Sequence, residues 1–243
     1  MKIMIIRHGD PDYEHDTLTS KGWREAEYLS EYIKNKDIAA FYLSPLGRAQ
    51  DTAAPTLKKM GRTGTTLEWL REFDSPIEKP NYPGQLTIPW DWLPTDWTKE
   101  SQYLDANNWL NGKAMADSNI ASDYKWVCQG LDTLLETHGY KRNGLLYDAV
   151  EPNHGTIVFF CHYGLECVLL SHLLNISPMQ LWHGIVAAPT SITTLATEER
   201  REGVASFRMQ AFGERTHLYI NHEEPSFSAR FSECYTDTDG RLD

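Results

Sequence analysis

The segment MKIMIIRHGDPDYE, residues 1–14, joins an apolar run directly to a cluster of polar residues. Four apolar residues at 3–6 predict a short strand that is buried on both faces, as in a parallel sheet. The run stops at Arg7, His8 and Gly9, which are a cation, a titratable ring and a residue without a side chain. Ligands bind outside the carboxyl ends of strands in open α/β sheets, so this ending indicates a ligand site.

Strands and helices alternate outward from this segment. The apolar patterns predict a helix at 18–37, strands at 38–44 and 156–161, a helix at 163–175, and strands at 191–197 and 205–212. Such alternation predicts an α/β fold, namely a three-layer, doubly wound, mostly parallel sheet with helices on both faces.

A further helix is predicted directly after the strand at 38–44. Ser44 is a favourable N-cap residue, and Pro45 suits the first helical position because its missing N–H would be unsatisfied there anyway. Pro55 lies within the same pattern, and a proline inside a helix removes one hydrogen bond. We therefore expect Pro55 to kink or end this helix.

Residues 74–155 interrupt the alternation and carry five of the eight tryptophans. We interpret this segment as one long, lid-like insertion within a single domain of residues 1–243, with a helix at 121–138. It contains six basic and twelve acidic residues, which gives a net charge of 6 − 12 = −6. A lid of this charge disfavours polyanionic ligands such as nucleotides or highly phosphorylated inositols.

Composition narrows the possible classes of protein. The net charge of −11 argues against a general nucleic-acid or anionic-membrane surface, so any phosphate site must be a local basic pocket. No run approaches the ~18 apolar residues of a membrane span, and the first residues lack the pattern of a signal peptide. The four cysteines have no CxxC spacing, and together these features lead us to expect a cytoplasmic protein.

Three polar groups follow the strands predicted to lie side by side. Arg7 and His8 follow the first strand, 44–48 follows the second and contains Arg48, and His162 follows the strand at 156–161. The fold therefore brings two arginines and two histidines to one edge of the sheet. Guanidinium groups offer planar pairs of donors that match phosphate oxygens, so the sequence predicts a phosphate site.

A histidine in such a site can act on the phosphate as well as bind it. A neutral imidazole can attack phosphorus and form a covalent intermediate, while the arginines stabilise charge on the transferred group. The leaving oxygen then needs a proton from a carboxylic acid. The segment LEWLREFDSP, residues 67–76, supplies Glu68 and Glu72 as candidates.

Three segments together resemble the histidine phosphatase superfamily, also called phosphoglycerate mutase-like. They are IRHGDPDY (6–13), which contains the RHG motif, SPLGRAQDTA (44–53) and CHYG (161–164). The resemblance covers roughly residues 1–73 and 156–220 and leaves the insertion unmatched.

This resemblance implies a role for each matching residue. His8 would be the phosphate-accepting nucleophile, and Glu72 would be the proton donor, with Glu68 as the alternative. The remaining phosphate-binding residues would be Arg7, Arg48 and His162. We expect the two arginines to lower the pKa of His8, and a backbone carbonyl to hold its second ring nitrogen.

Two positions depart from the family pattern. Glu14 stands where many members carry an asparagine that touches phosphate, and a carboxylate would repel that ligand. The segment FGERTHL, residues 212–218, resembles a late family segment with changed residues, so His217 is left outside the predicted site. We expect no metal and no cofactor, because two arginines beside His8 and His162 would repel a dication.

The resemblance implies a phosphomonoester hydrolase of the phosphatase branch, acting through a phosphohistidine on a small phosphorylated metabolite or a phosphoprotein. Two alternatives stay open. One is a phosphoglycerate mutase-type phosphotransferase, which uses the same intermediate but returns the phosphoryl group to substrate. The other is a non-catalytic module that binds a phosphorylated ligand or a protein through the tryptophan-rich insertion, which could also face a second subunit in a homodimer.

Overall fold

The computed structural model describes residues 1–79, 82–228, 230–237 and 240, so residues 80 and 81 of the predicted insertion lie outside it. The strands are β1 (Lys2–Arg7), β2 (Pro11–Asp12), β3 (Thr17–Leu18), β4 (Ala40–Leu43), β5 (Thr65–Thr66), β6 (Ile77–Glu78), β7 (Leu86–Thr87), β8 (Tyr140–Asn143), β9 (Leu146–Ala149), β10 (Thr156–Cys161), β11 (Ile192–Arg201) and β12 (Val204–Glu214). The helices are α1 (Ser20–Ile33), α2 (Gly47–Met60), α3 (Pro94–Trp97), α4 (Lys113–Ala116), α5 (Ile120–Thr137), α6 (Tyr163–Leu174), α7 (Pro178–Gly184) and α8 (Thr216–Tyr219).

A central sheet organises the fold. Among the described residues it contains eight strands in the order β5-β4-β10-β1-β11-β12-β9-β8. β1 pairs in parallel with β10 on one side and antiparallel with β11 on the other. Following the pairings outward, β11 and β9 run opposite to β1 and the other six strands share one direction. The predicted α/β fold with a mostly parallel sheet is confirmed.

β1 separates two apolar cores, because successive side chains of a strand point to opposite faces. Ile3 and Ile5 belong to the core that includes α5 and α6. Met4 and Ile6 belong to a second core with α1 and α2. The sheet is therefore covered by helices on both faces, which is the doubly wound arrangement predicted from the sequence.

The tryptophan-rich segment packs onto the same core as β1. Trp92, Trp97 and Trp109 are buried in that core, together with residues of α5. β9 pairs with β12, so residues 140–149 extend the central sheet at one edge. The division into one domain with an insertion at 74–155 stays a prediction.

The predicted start of α2 is wrong. The helix begins at Gly47 rather than at Pro45, and Leu46 in an extended conformation precedes it. The hydroxyl of Ser44 contacts Nε2 of His162 at 2.7 Å. Ser44 therefore binds a residue at the edge of the sheet, and Leu46 takes the N-cap position of α2.

Pro55 does not end α2, because the helix continues past it to Met60, and a kink at Pro55 stays a prediction. Ala49, Thr52, Ala53 and Thr56 form a buried face on both sides of the proline. Packing of this face against the sheet holds the helix together despite the missing N–H.

Two glycines let α1 approach the end of β1. A Cβ on Gly22 would lie 2.2 Å from the carbonyl oxygen of Asp10, and one on Gly9 would lie 2.9 Å from the carbonyl oxygen of Gly22. The hydroxyl of Thr19 caps α1 by accepting a hydrogen bond from the Gly22 N–H. These contacts hold the backbone at Gly9 and Asp10 against α1.

We expect Gly22→Ala to lower the free energy of unfolding by about 1–3 kcal/mol, because the added methyl group forces the helix away from Asp10. This runs against the usual gain of about 1 kcal/mol for replacing glycine by alanine within a helix. Denaturant unfolding measures the change. Gly184→Ala is the matched control, since its Cβ would meet nothing within 4 Å. Equal stability of the two variants would contradict the expectation.

Candidate functional site

The carboxyl ends of β1, β4 and β10 bring the predicted residues together at one edge of the sheet. The rings of His8 and His162 lie 5.1 Å apart, centroid to centroid. Arg7, His8 and His162 are each no more than 2% exposed. The guanidinium of Arg48 joins them from the first turn of α2.

His8 has a defined protonation pattern. Its Nδ1 lies 2.8 Å from the carbonyl oxygen of Gly9, and because a carbonyl only accepts, Nδ1 carries the hydrogen. Nε2 therefore keeps its lone pair. Burial lowers the pKa of His8 well below its usual value, and the charge of Arg7 and then that of Arg48 lower it further. The expected effect of the arginines is present, but burial is the larger cause.

His162 is held by the serine that precedes α2. Its Nε2 contacts the Ser44 hydroxyl at 2.7 Å, while its Nδ1 is buried without a hydrogen-bond partner in the described part of the chain. Burial lowers the pKa of His162 well below its usual value, and the neighbouring His8, Arg48 and Arg7 add to this effect. Both histidines are thus favoured as neutral rings.

Arg7 is anchored by residues distant in sequence. Its Nη1 donates to the carbonyl oxygen of Ala187 at 2.6 Å, and its Nη2 donates to the hydroxyl of Ser228 at 2.8 Å. The guanidinium carbon lies 5.8 Å from the centroid of the Tyr163 ring. These contacts fix the plane of the guanidinium.

Arg48 is held by Asp16, which sequence reasoning missed. Its Nη1 donates to Oδ1 of Asp16 at 2.6 Å, while Oδ2 accepts from the Gly47 N–H at 2.7 Å. Partial burial opposes ionisation of Asp16, but these hydrogen bonds outweigh it and lower its pKa. The Arg48 guanidinium also lies 5.4 Å from the ring centroid of Tyr13, and the Tyr13 ring is nearly perpendicular to that of His8, with 6.5 Å between their centroids.

Three buried nitrogen atoms of this cluster have no hydrogen-bond partner among the described residues. They are Nε of Arg7, Nε of Arg48 and Nδ1 of His162. Leaving a buried donor unpaired costs about 1–3 kcal/mol, and more when the group is charged. The two guanidinium nitrogens are donors that oxyanion oxygens accept from, so the cluster has the chemistry of an anion site.

Glu72 lies beside the start of α6. Its Oε1 accepts hydrogen bonds from the N–H groups of Phe73 and Leu165, at 2.8 and 2.9 Å. Burial raises the pKa of Glu72 even though these bonds and the two arginines lower it. Gly164 makes this approach possible, because a Cβ there would lie 2.8 Å from Oε1. Glu68, the alternative, is exposed at the start of a short 3₁₀ helix.

The two departures from the family pattern lie apart from the cluster. Glu14 is exposed, and its N–H donates to the side chain of Asp12. His217 is buried, and its Nε2 lies 2.9 Å from the hydroxyl of Thr190. The Thr190 N–H is shared between the carbonyl oxygens of Arg7 and His8, so His217 supports the cluster only through this threonine.

The described residues contain no group of three or more His, Cys, Asp or Glu side chains that could hold a metal ion. Nor does any helix in the described ranges have the length and apolar character to cross a membrane.

Comparison with known proteins shows a family to which part of the chain is similar. Residues 3–104 match the model for the histidine phosphatase superfamily (branch 1). A phosphoserine phosphatase from Entamoeba histolytica has a similar fold, with a TM-score of 0.56, 21% identity, and coverage of 89% of this chain and 98% of that one. Residues 3–104 are thus similar to the histidine phosphatase superfamily, and the fold of the chain is similar to that of the phosphoserine phosphatase.

Other proteins similar to this chain have different names. A mycobacterial glucosyl-3-phosphoglycerate phosphatase is 19% identical, with a TM-score of 0.56 over 87% of this chain and 98% of that one. A 2,3-bisphosphoglycerate-dependent phosphoglycerate mutase from Thermoplasma acidophilum is 44% identical over 64 residues, 22% of this chain. That match spans 32% of the mutase, about a third of its length.

The chain also carries a buried glutamate that sequence reasoning missed. Glu166 is 1% exposed in the first turn of α6, and neither carboxyl oxygen has a hydrogen-bond partner among the residues described. Burial raises its pKa to about 7. The signal in the sequence was a single acidic residue within the apolar helix at 163–175.

Glu166 should make the protein less stable as the pH rises. Its folded pKa of about 7 exceeds the ordinary 4.5, so the folded chain retains a proton that the unfolded chain loses. Stability therefore falls between these two pH values, by about 3 kcal/mol for this group. Glu166→Gln should remove that part of the slope in unfolding measured from about pH 4.5 to 8. Glu25, with a pKa also raised to about 7, should leave a residual slope.

Glu202→Gln, at an exposed turn, is the matched control and should retain the slope of the unmodified protein. A Glu166→Gln variant with that same slope would contradict the assignment.

Proposed function

We propose that this chain is a phosphomonoester hydrolase that works through a phosphohistidine intermediate and needs no cofactor. The observation that carries the proposal is the buried pair of His8 and His162 rings, 5.1 Å apart, together with unpaired nitrogens on Arg7 and Arg48 and a nearby carboxyl, Glu72, of raised pKa. His8 is the nucleophile and Glu72 the proton donor. The phosphate-binding residues are Arg7, Arg48 and His162.

In the first step, the lone pair on Nε2 of His8 attacks phosphorus. The bond from phosphorus to the leaving oxygen breaks, and the Glu72 carboxyl transfers its proton to that oxygen. The guanidinium groups stabilise the charge spread over the three remaining phosphoryl oxygens. The neutral His8 favoured by burial is the form that this step requires.

In the second step, water attacks phosphorus while the Glu72 carboxylate takes a proton from it. The bond from phosphorus to Nε2 breaks and its electron pair returns to His8. Phosphate leaves, and both residues regain their starting protonation.

Similar proteins support a small phosphorylated metabolite as substrate. The Entamoeba histolytica protein is named a phosphoserine phosphatase, and the mycobacterial protein a glucosyl-3-phosphoglycerate phosphatase. Residues 74–155, which we propose to be a lid-like insertion within one domain, carry net negative charge and disfavour polyanions. A cytoplasmic location and a homodimer stay predictions.

A phosphotransferase is the second candidate, favoured by the 44% identity to a phosphoglycerate mutase over 64 residues. Release of phosphate distinguishes the two, because a mutase returns the phosphoryl group to substrate. Turnover in ¹⁸O-labelled water should place the label in free phosphate if the chain is a hydrolase.

His8→Ala should reduce phosphatase turnover by at least about 10³-fold, because it removes the nucleophile. The assay is phosphate release from a panel of phosphorylated metabolites. An acid-labile phosphoryl group should be trapped on the unmodified protein and not on the variant. His154→Ala, an exposed histidine before the opposite end of β10, is the control and should retain full activity. Hydrolysis at an undiminished rate in His8→Ala would overturn the mechanism.

Glu72→Gln should show a loss that depends on the leaving group. For an alkyl phosphate, whose leaving oxygen needs a proton, we expect kcat to fall by about 10²–10⁴. For p-nitrophenyl phosphate, whose leaving group departs as an anion, formation of the phosphohistidine should be nearly unaffected in single-turnover experiments. Glu68→Gln is the control and should behave like the unmodified protein. An equal loss in Glu68→Gln would contradict the assignment of Glu72 as the proton donor.

A further inference from the structure

A cavity of about 430 Å³ lies between α6, α7, the segment at 90–94 and the segment at 230–233. Its walls carry an unusual share of aromatic rings. They come from Trp90, Trp92, Tyr163, Trp182 and Phe231. This volume lies in the range of about 300–1,000 Å³ that is typical of small-molecule sites.

The cavity adjoins the phosphate site through two of its walls. Tyr163 directly follows His162, and its ring centroid lies 5.8 Å from the guanidinium carbon of Arg7. Trp90 is next to the carboxyl of Glu72. A Cβ on Gly164 would lie 2.7 Å from the Trp90 Nε1 and 2.8 Å from the Glu72 Oε1.

This position corresponds to the leaving-group side of the reaction. In an in-line displacement, the leaving oxygen lies opposite the attacking Nε2 of His8. The same oxygen must lie within hydrogen-bond reach of Glu72, which protonates it. The group attached to that oxygen therefore extends past Glu72 and Trp90 into the cavity.

The polar atoms of three aromatic walls are bonded to backbone carbonyls. Nε1 of Trp90 donates to the carbonyl oxygen of Phe73 at 3.1 Å, and Nε1 of Trp182 donates to that of Gly164 at 3.0 Å. The Tyr163 hydroxyl lies 2.6 Å from the carbonyl oxygen of Trp182. These bonds fix the rings in place, so the cavity is preformed and its inner surface is largely apolar.

The charged side chains of the cavity have partners of their own. Arg230 forms an ion pair with Glu233, with 3.0 Å between Nη2 and Oε1. The two ring nitrogens of His183 lie 2.8 and 2.9 Å from the carbonyl oxygens of Met179 and Trp92. Neither residue therefore argues for a second phosphate or another anionic group in this cavity.

We propose that this cavity binds the leaving group of the substrate, and that the substrates are phosphate monoesters of small alcohols that carry an aromatic ring system. The inference rests on the hydrolase proposed above and specifies its substrate class. Stacking on the fixed tryptophan and tyrosine faces provides the selectivity, while the phosphate cluster contributes equally to every monoester.

A pair of esters with similar leaving oxygens tests this substrate class. 2-Naphthylmethyl phosphate and ethyl phosphate are both monoesters of primary alcohols, so they differ mainly in the group that enters the cavity. We expect kcat/KM to be at least about tenfold higher for the naphthylmethyl ester. Equal values would overturn the inference and leave the hydrolase intact.

Val186→Trp tests whether the preference originates in this cavity. Val186 lines the cavity and is 45% exposed, so a larger side chain fills the cavity without entering the core. The ratio of the two kcat/KM values should fall towards one. Val150→Trp, at a position that is 72% exposed and outside the cavity, should keep the ratio of the unmodified protein. An unchanged ratio in Val186→Trp would place the selectivity elsewhere and overturn the inference.

Binding of non-hydrolysable phosphonates separates this inference from the reaction itself. In 2-(2-naphthyl)ethylphosphonate and propylphosphonate, a methylene replaces the bridging oxygen of each ester. Calorimetry should give at least about tenfold tighter binding of the naphthyl compound. That result supports the cavity even if neither ester is hydrolysed, in which case only the proposed reaction fails. Equal binding overturns the cavity assignment.

A phosphotyrosine peptide tests whether the substrate is a small molecule. Hydrolysis of this peptide more than tenfold faster than the naphthylmethyl ester would overturn the small-molecule class.

Discussion

Burial of two histidines beside two guanidinium groups is the constraint on which the rest of the site depends. Burial, reinforced by the neighbouring positive charge, lowers the pKa of His8 and His162, so both are favoured as neutral imidazoles. Coulombic repulsion in a buried setting is only weakly screened by solvent. The arrangement is stable because carbonyl oxygens and Asp16 satisfy part of each guanidinium, and the nitrogens left unpaired suit an oxyanion.

Rigid neighbours keep this charged cluster in place. Gly9 and Gly22 let the backbone after β1 contact α1 directly, and the Thr190 N–H binds the carbonyl oxygens of Arg7 and His8 from the opposite side. The hydroxyl of Ser228, 221 residues away in the chain, accepts a hydrogen bond from Arg7. The nucleophile proposed here is therefore fixed by its own backbone, and a preorganised group needs little rearrangement during reaction.

Burial raises the pKa of two carboxyls near this cluster, but their surroundings differ. Glu72 is half-buried, accepts two backbone hydrogen bonds, one of them from the start of α6, and lies near Trp90 of the aromatic cavity. Glu166 lies in the first turn of α6 and is buried in the interior. Burial thus raises the pKa of Glu72, which suits the proton donor that we propose, while at Glu166 it reduces the stability of the protein at higher pH.

The sequence by itself determined the doubly wound sheet and the meeting of Arg7, His8, Arg48 and His162, because apolar periodicity and strand-end motifs are local patterns that a parallel sheet brings to one edge. It misplaced the start of α2, because the Ser44 hydroxyl is used by His162, 118 residues away. Only the tertiary structure placed Glu72 against the start of α6 and left Glu68 exposed, paired Asp16 with Arg48, and assembled the aromatic cavity. Each of these depends on contacts between residues far apart in the chain, such as Glu72 with Leu165, which no local pattern encodes.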